Sequence, residues 1–255
     1  MSPASSGRLL IVPSPLDFGC DEQIDLTEVI PLGTLRQAAV LKNWVCENAK
    51  TTRAYIKRID AVVPLTCAIQ SIQITELPRQ VHKLGDHDGQ FDARHFLEAA
   101  LAGEDIGLVS EAGMPAVADP GSSVVRAAHA LGLTVLPLVG PVSLLLALAA
   151  SGLNGQNFAF HGYLPTDGAA RAQRLKQLES DALQRGQTSL FIETPYRNLA
   201  TFQSAIDTLK PTTRLSISSG LTLSTSKSLT LTVSQWRQRP VPVDGRTPAI
   251  FGLGR

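Results

Sequence analysis

Short apolar runs rich in Val and Ile alternate along this chain with longer stretches of helical period, and that alternation is the signature of an α/β fold. Arg8 to Pro13 reads as the first strand. A helix is expected near Thr34 to Leu41, a weak strand near Asn43 to Glu47, a helix near Lys50 to Ile59 and a strand from Ser71 to Glu76. Phe91 to Ala102 repeats apolar residues at helical spacing and is stopped by Gly103; Asp105 to Ser110 follows as a buried strand. Ser122 to Leu131 reads as a helix and Leu133 to Leu136 as a short strand. Beyond Gly152, strands are expected near Asn157 to His161, Ser189 to Glu193, Arg214 to Ser219, Ser228 to Val233 and Thr247 to Leu253. Helices are expected near Ala169 to Gln184 and Tyr196 to Leu209.

A length of 255 residues accommodates two domains at roughly 100–200 residues each. The predicted division is an α/β domain at 7–138 with a mainly parallel sheet and another at 139–255 with a mixed sheet. Strands that follow one another after Lys210 without a helix between them call for antiparallel pairing, with Ser216 to Ser228 as a turn-bearing hairpin. Val135 to Leu153 is uncharged and nearly long enough to span a bilayer. Pro137, Gly140 and Pro141 instead divide it into a strand, a turn and a helix from about Ser143 to Ala150, so no membrane segment is predicted.

Hydrophobic residues make up 44% of the chain, charged residues 18%, and the net charge is +1, which excludes a disordered chain and a uniformly basic nucleic-acid binder. A local basic patch remains compatible with that balance. Cys20, Cys46 and Cys67 are odd in number and lack histidines at ligand spacing, so neither a disulfide framework nor a metal site is predicted, and a reducing cytoplasm fits. The opening MSPASSGR lacks the apolar run of a secretory signal and reads as a frayed tail.

Chemistry is expected where parallel strands end, because loops there bind ligands in α/β sheets. The loop SEAGMPAVADPG joins a strand to a helix; its glycines admit close backbone approach, and Asp119 is placed to cap the helix. Val139 to Ser143 forms a second such loop, whose following helix start can present amides to polar atoms. No Gly-x-Gly-x-x-Gly and no Gly-Lys-Ser or Gly-Lys-Thr occurs, which argues against a nucleotide hydrolase. Lys50, Arg53, Lys57 and Arg58 form one basic group and Arg171, Arg174 and Lys176 another; both are phosphate-contact candidates as well as ordinary solvated helix faces.

The ordered motifs LVSEAGMPAVADPG, LPLVGPVSLLLALAASGL, FAFHGYLP and LFIETPYR resemble the tetrapyrrole methylase superfamily of S-adenosylmethionine-dependent methyltransferases. Within it the chain is most similar to the ribosomal RNA small-subunit cytidine 2′-O-methyltransferases. The resemblance is dense from about Ala102 to Arg197 and thin elsewhere. It implies two α/β domains with S-adenosylmethionine in the cleft between them, a homodimer, and ribosomal RNA or the small ribosomal subunit as partner. Matched position by position, Pro13, Ser14 and Pro15 face the cofactor, and Ser110, Gly113, Met114 and Pro115 hold its methionine end. Gly140, Pro141 and Ser143 form the crossing between domains, while Phe191, Pro248 and Ala249 supply backbone around the adenine. Asp86 and His87, in GDHDG, stand where RNA-methylating relatives carry an acidic and histidine cluster, and are the candidates for base or ribose contact. Glu193 and Arg197 match a glutamate and an arginine of the family, as substrate residues or as an ion pair fixing a corner. Lys50, Arg53, Arg171, Arg174 and Arg197 complete the candidate substrate contacts.

The pattern also departs from the family. Asp17 replaces a glycine of the first loop, Asn48 and Lys50 replace an acidic residue and an arginine, and Ser219, Gly220 and Leu223 stand where an arginine, a glutamate and a lysine are expected beside the substrate. Three functions stay open: a ribosomal RNA 2′-O-methyltransferase, a methylase of a small tetrapyrrole, and a non-catalytic S-adenosylmethionine-binding paralogue serving as sensor or scaffold.

Overall fold

The structure, a computed structural model, describes residues 6–17, 19–84 and 89–255. Ten strands are described: β1 (Arg8–Ile11), β2 (Asn43–Cys46), β3 (Gln73–Glu76), β4 (Ile106–Val109), β5 (Thr134–Pro137), β6 (Phe158–Tyr163), β7 (Thr188–Glu193), β8 (Arg214–Ser219), β9 (Lys227–Thr232) and β10 (Ala249–Gly254). The helices are α1 (Leu26–Val29), α2 (Leu32–Ala38), α3 (Ala49–Val62), α4 (Arg79–Leu84), α5 (Glu98–Leu101), α6 (Ser122–Ala130), α7 (Ser143–Ser151), α8 (Gly168–Arg185), α9 (Asn198–Thr208) and α10 (Val233–Trp236).

The first compact unit holds Gln23–Pro141 together with the β1 segment ahead of Gly19. Its sheet has the order β3-β2-β4-β1-β5 with every neighbour parallel. Parallel strands covered on both faces need apolar residues throughout, and β4 is buried at all of its positions. Alternate residues of β1 and its extension feed two cores. Leu10 and Val12 pack with Leu35, Trp44, Tyr55 and Ile56 from the α1–α3 side, whereas Leu9 and Ile11 pack with Phe96, Leu97, Val124 and Ala128 from the α6 side. Gly107 sits inside β4 because a Cβ there would lie 2.9 Å from both Leu41 Cδ1 and Trp44 Cε3.

The helix expected over Phe91 to Ala102 is a 3₁₀ turn at Arg94–Leu97 followed by the four-residue α5. Asp92 accepts from the Arg94 amide at 3.0 Å and closes a turn where the helix was to begin. The short helices α1, α4 and α10 were not anticipated, being too brief to display a period.

The second unit holds Val142–Arg255 together with Gly19–Glu22. Its sheet has the order β6-β7-β10-β8-β9; β6 and β7 are parallel, and the remaining neighbours antiparallel, as the run of strands after Lys210 predicts. Phe191 and Phe251 are cross-strand partners with parallel rings 5.3 Å apart, and Trp236 meets Phe202 edge-on at 5.9 Å. Asp167 caps α8 by accepting from the Ala170 amide, and Gly186 ends it at φ 63°. The apolar stretch 135–153 divides into β5, a turn and the nine-residue α7. Among the described residues no helix is long and apolar enough to cross a membrane.

Candidate functional site

In the first unit β1 and β4 lie side by side, yet the chain leaves them toward opposite faces of the sheet. Their loops therefore part at the carboxyl edge, which makes this a topological switch point. Ser14 and Gly113 close an isolated antiparallel bridge across it, Ser14 N donating to Gly113 O at 2.9 Å and Gly113 N to Ser14 O at 3.1 Å. The Ser14 hydroxyl donates to the Ser110 carbonyl at 3.0 Å, so it fastens the two loops and is not offered outward.

Gly113 has φ +79°, and a Cβ there would come within 3.1 Å of Leu16 Cδ2. Gly140 brings in the loop after β5: a Cβ would fall 2.3 Å from Pro13 Cγ, a distance no side chain tolerates. The Tyr55 hydroxyl donates to the Pro13 carbonyl at 2.7 Å and Thr34 Oγ1 to the Val139 carbonyl at 2.8 Å. Pro13, Ser14, Pro15, Ser110, Gly113, Pro115, Gly140 and Pro141 are thus gathered on three adjoining loops, while Met114 packs half-buried against the α6-side core. The rim they make is chiefly peptide backbone.

One residue of this edge has a role that the sequence did not disclose. The N-cap of α6 is Gly121 at φ 128°, and Asp119, two residues ahead of it, interacts with the Ser110 side chain. Burial, then the nearby charges of Glu47 and Glu111, push the Asp119 carboxyl up to about 7 against the opposing hydrogen bond from Ser110. Glu47 follows β2 and Glu111 follows β4, and the Glu111 amide donates to Glu47 Oε1 at 3.3 Å. Ala116 and Ala118 in the same loop take φ 63° and 67°, left-handed values that cost strain in a residue with a Cβ. The sequence signal was three acids following two strands that the fold makes neighbours, legible only once the strand order is known.

The second unit places the other candidates separately. Glu193 is 3% exposed at the end of β7: Oε1 accepts from the Thr194 amide at 2.9 Å, and Oε2 accepts from Thr201 Oγ1 at 2.9 Å and pairs with Arg197 at 3.0 Å. Arg197 also donates to the Leu164 carbonyl at 2.9 Å. This geometry is the corner ion pair. Arg171 donates to the Thr166 carbonyl at 3.1 Å, and Arg174 contacts His161 Nδ1 at 3.3 Å and Gln177 Oε1 at 2.8 Å, so both guanidinium groups are engaged inside their own unit. His161 Nε2 lies 3.2 Å from Ser189 Oγ; burial and then the Arg174 charge hold its pKa below the usual value. Phe191 is fully buried, Ala249 is buried at the start of β10, Pro248 is exposed beside it, and Ser143 opens α7.

In the first unit Lys50 and Arg53 are exposed on α3, but Arg58 of the same basic group pairs with buried Asp17 at 2.8 Å. Asp17 thereby anchors the first loop and also accepts from the Ile24 amide at 3.1 Å. Asp86 and His87 lie outside the described residues. Among the described residues no three His, Cys, Asp or Glu side chains are placed to share a metal ion.

A family profile described as Tetrapyrrole (Corrin/Porphyrin) Methylases matches residues 32–236. Over 195 residues the chain is 34% identical to a Pseudomonas aeruginosa protein named Ribosomal RNA small subunit methyltransferase I, covering 76% of this chain and 59% of that one. A Vibrio cholerae protein of the same name is 36% identical over 126 residues, 49% of this chain and 42% of the other. The chain therefore spans about half the length of these curated relatives. Its fold is similar to that of the methyltransferase CobJ, with a TM-score of 0.59 at 16% identity over 98% of this chain and 95% of that one.

Proposed function

This chain belongs to the tetrapyrrole (corrin/porphyrin) methylase family, and we propose that it is an S-adenosylmethionine-dependent methyltransferase whose acceptor is a ribose 2′-hydroxyl of ribosomal RNA. The observation that carries the proposal is the backbone rim at the β1–β4 switch point, lying within a chain that matches the family from 32 to 236. When bound, S-adenosylmethionine supplies an electrophilic methyl group. What remains for the protein is alignment and exclusion of water.

Pro13, Ser14, Pro15, Ser110, Gly113, Met114 and Pro115 are assigned to line the methionine end, and Gly140 with Pro141 closes the rim. Rigidly bonded amides and carbonyls suit a zwitterionic group because their dipoles need no rearrangement. Ser143, Phe191, Pro248 and Ala249 of the second unit are assigned to the cofactor through backbone, as the packing of the Phe191 ring in its own core requires. Asp86 and His87 stay the proposed base or ribose contacts. Asp119 joins them, since a carboxyl titrating near 7 is matched to taking a proton at neutral pH. Glu193 acts as a positioning residue that fixes Arg197, with Lys50 and Arg53 as the exposed cations for phosphate. The names of the relatives favour ribosomal RNA, and we assign the same partner, a homodimeric state and a cytoplasmic setting on that likeness.

A second reading is a binder without catalysis, favoured by Ser219, Gly220 and Leu223 where charged residues are expected. Calorimetric titration with S-adenosylmethionine and S-adenosylhomocysteine, followed by labelled methyl transfer to small ribosomal subunits, separates the two. Binding with transfer supports the enzyme and binding without transfer the paralogue; failure of folded protein to bind either compound removes both.

A further inference from the structure

Between Asp207 and Asp244 the sequence holds no acidic residue, while Lys210, Arg214, Lys227, Arg237 and Arg239 fall inside that stretch. The fold sends Lys227 to one end of the second unit and the other four cations to the opposite end. Arg214 opens β8 in register with Thr232, where β9 finishes. The Val233 and Ser234 amides, which begin α10, donate to the Thr213 and Pro211 carbonyls, both at 3.0 Å. Arg237 and Arg239 follow α10, and Arg237 donates to the Ile206 carbonyl of α9 at 2.8 Å. Because α9 starts beside Arg197 and runs for 11 residues at 1.5 Å each, this end lies about 15 Å from the Glu193–Arg197 corner.

Buried Glu179 gives the end a rigid mount. From α8 its Oε1 accepts from the Lys210 amide at 2.7 Å and the Thr213 hydroxyl at 2.5 Å, so the turn after α9 is fastened to α8. At that joint lies a cavity of about 350 Å³, lined by Lys176 of α8 and by Lys210 together with Ser180, Gln184 and Thr208.

The charges here divide by what they already touch. Arg237 closes the carboxyl end of α9, Arg255 donates to the Leu183 carbonyl of α8, Arg185 pairs with Asp181 at 3.8 Å, and Asp207 accepts from Gln203 at 2.9 Å. Lys176, Lys210, Arg214 and Arg239 are exposed and make no side-chain hydrogen bond or ion pair among the described residues. Glu179 beneath the cavity offsets at most one of these four charges. A single small anion would use the two lysines alone. Cations spread over α8, the turn after α9, β8 and the segment after α10 suit a polyanion whose charges repeat along its length.

We propose that this end of the second unit docks the phosphate backbone of the RNA beyond the acceptor nucleotide. Lys176 and Lys210 seat one phosphate at the cavity, and Arg214 and Arg239 follow its neighbours along the strand. The inference rests on the RNA reading above and extends it to a second contact surface, one that positions the strand without reading its sequence.

The test is anisotropy of the full chain with a fluorescently labelled RNA from the small-subunit sequence, measured over a salt series. A length of about 30 nucleotides, at roughly 3.4 Å each, is enough to cross the unit. K176E/K210E is expected to bind this RNA about tenfold more weakly, its salt slope reduced by about 0.7 for each phosphate no longer neutralised, and R214E/R239E acts in the same direction. The milder K176Q/K210Q should fall between K176E/K210E and the parent. R36E/K42E, a charge-matched control on exposed residues of the first unit, should lose far less. Unchanged affinity for S-adenosylhomocysteine verifies the fold of each variant. Parental affinity and slope in K176E/K210E and R214E/R239E would overturn the docking surface while leaving the RNA reading in place. An equal loss in the control would also overturn it, by reducing the effect to net charge. A parent that binds S-adenosylhomocysteine but no RNA would instead overturn the RNA reading and this inference with it.

Discussion

Asp119 carries an unequal proton affinity between the folded and unfolded chain. Its folded value of about 7 stands above the ordinary aspartate value of 3.8, so folding takes up a proton at intermediate pH. The carboxyl therefore imposes no charge penalty below about pH 4, the penalty grows as pH rises toward 7, and it is complete above 7. Asp119→Asn is expected to be more stable than the parent above pH 7, by at most about 4 kcal/mol at 1.36 kcal/mol per unit, with the difference vanishing below pH 4. Urea denaturation across pH 4–8 measures it; a constant difference would show that Asp119 does not titrate there. Should Asp119 also accept the acceptor's proton, the same variant would lose methyl transfer and its acid limb near pH 7. Tyr55 offers a second local test. Tyr55→Phe leaves the buried Pro13 carbonyl without its donor and should cost about 1–3 kcal/mol, read from the shift in denaturation midpoint, together with weaker cofactor binding. At this scale the sequence disclosed where the backbone is shaped, because glycine and proline announce their conformations, as Gly113 and Gly140 do. It did not disclose the neighbours of Asp119, Arg171 and Arg174, which depend on what lies opposite them in space.

The loops after β1, β4 and β5 behave as one element. Gly140→Val forces a side chain onto Pro13, and Gly113→Leu asks a branched residue to hold φ +79° against Leu16. Each is expected to lower the thermal midpoint by several degrees, for a cost of about 1–3 kcal/mol, and to abolish S-adenosylhomocysteine binding in calorimetry. Retained affinity in both would take the cofactor away from this rim. Elements longer than two turns were legible from period and from the glycines or prolines that bound them, α6 and α8 from the first and α7 from the second. The stretch from Phe91 was misread because its apolar spacing suits two packed turns as well as one helix, and Asp92 decides between them through a single backbone bond. Strand order was not legible at all: β2 reads as weak in sequence, yet it sits between β3 and β4 with Trp44, Val45 and Cys46 buried.

For the molecule as a whole, a ligand that binds only the folded chain raises its stability by mass action. S-adenosylhomocysteine at a hundredfold excess over its dissociation constant should add about 2.7 kcal/mol and raise the unfolding temperature with concentration. A thermal midpoint indifferent to ligand would deny the cofactor site in either of its readings. The division into a parallel and a mixed unit was visible in the spacing of strands and helices, since parallel neighbours need long crossovers and antiparallel ones do not. The parallel unit has a further consequence, for the order of events during synthesis. Its interior strand β1 pairs with β4 and β5, and Arg8 meets Asp105 across 97 positions of chain. At ~5–20 residues per second the nascent β1 waits roughly 5–20 s for its first strand neighbour. Strand pairing of β1 thus waits for the last two strands of its own unit, and until β4 emerges Leu9 and Ile11 lack the sheet neighbours that cover them in the folded unit.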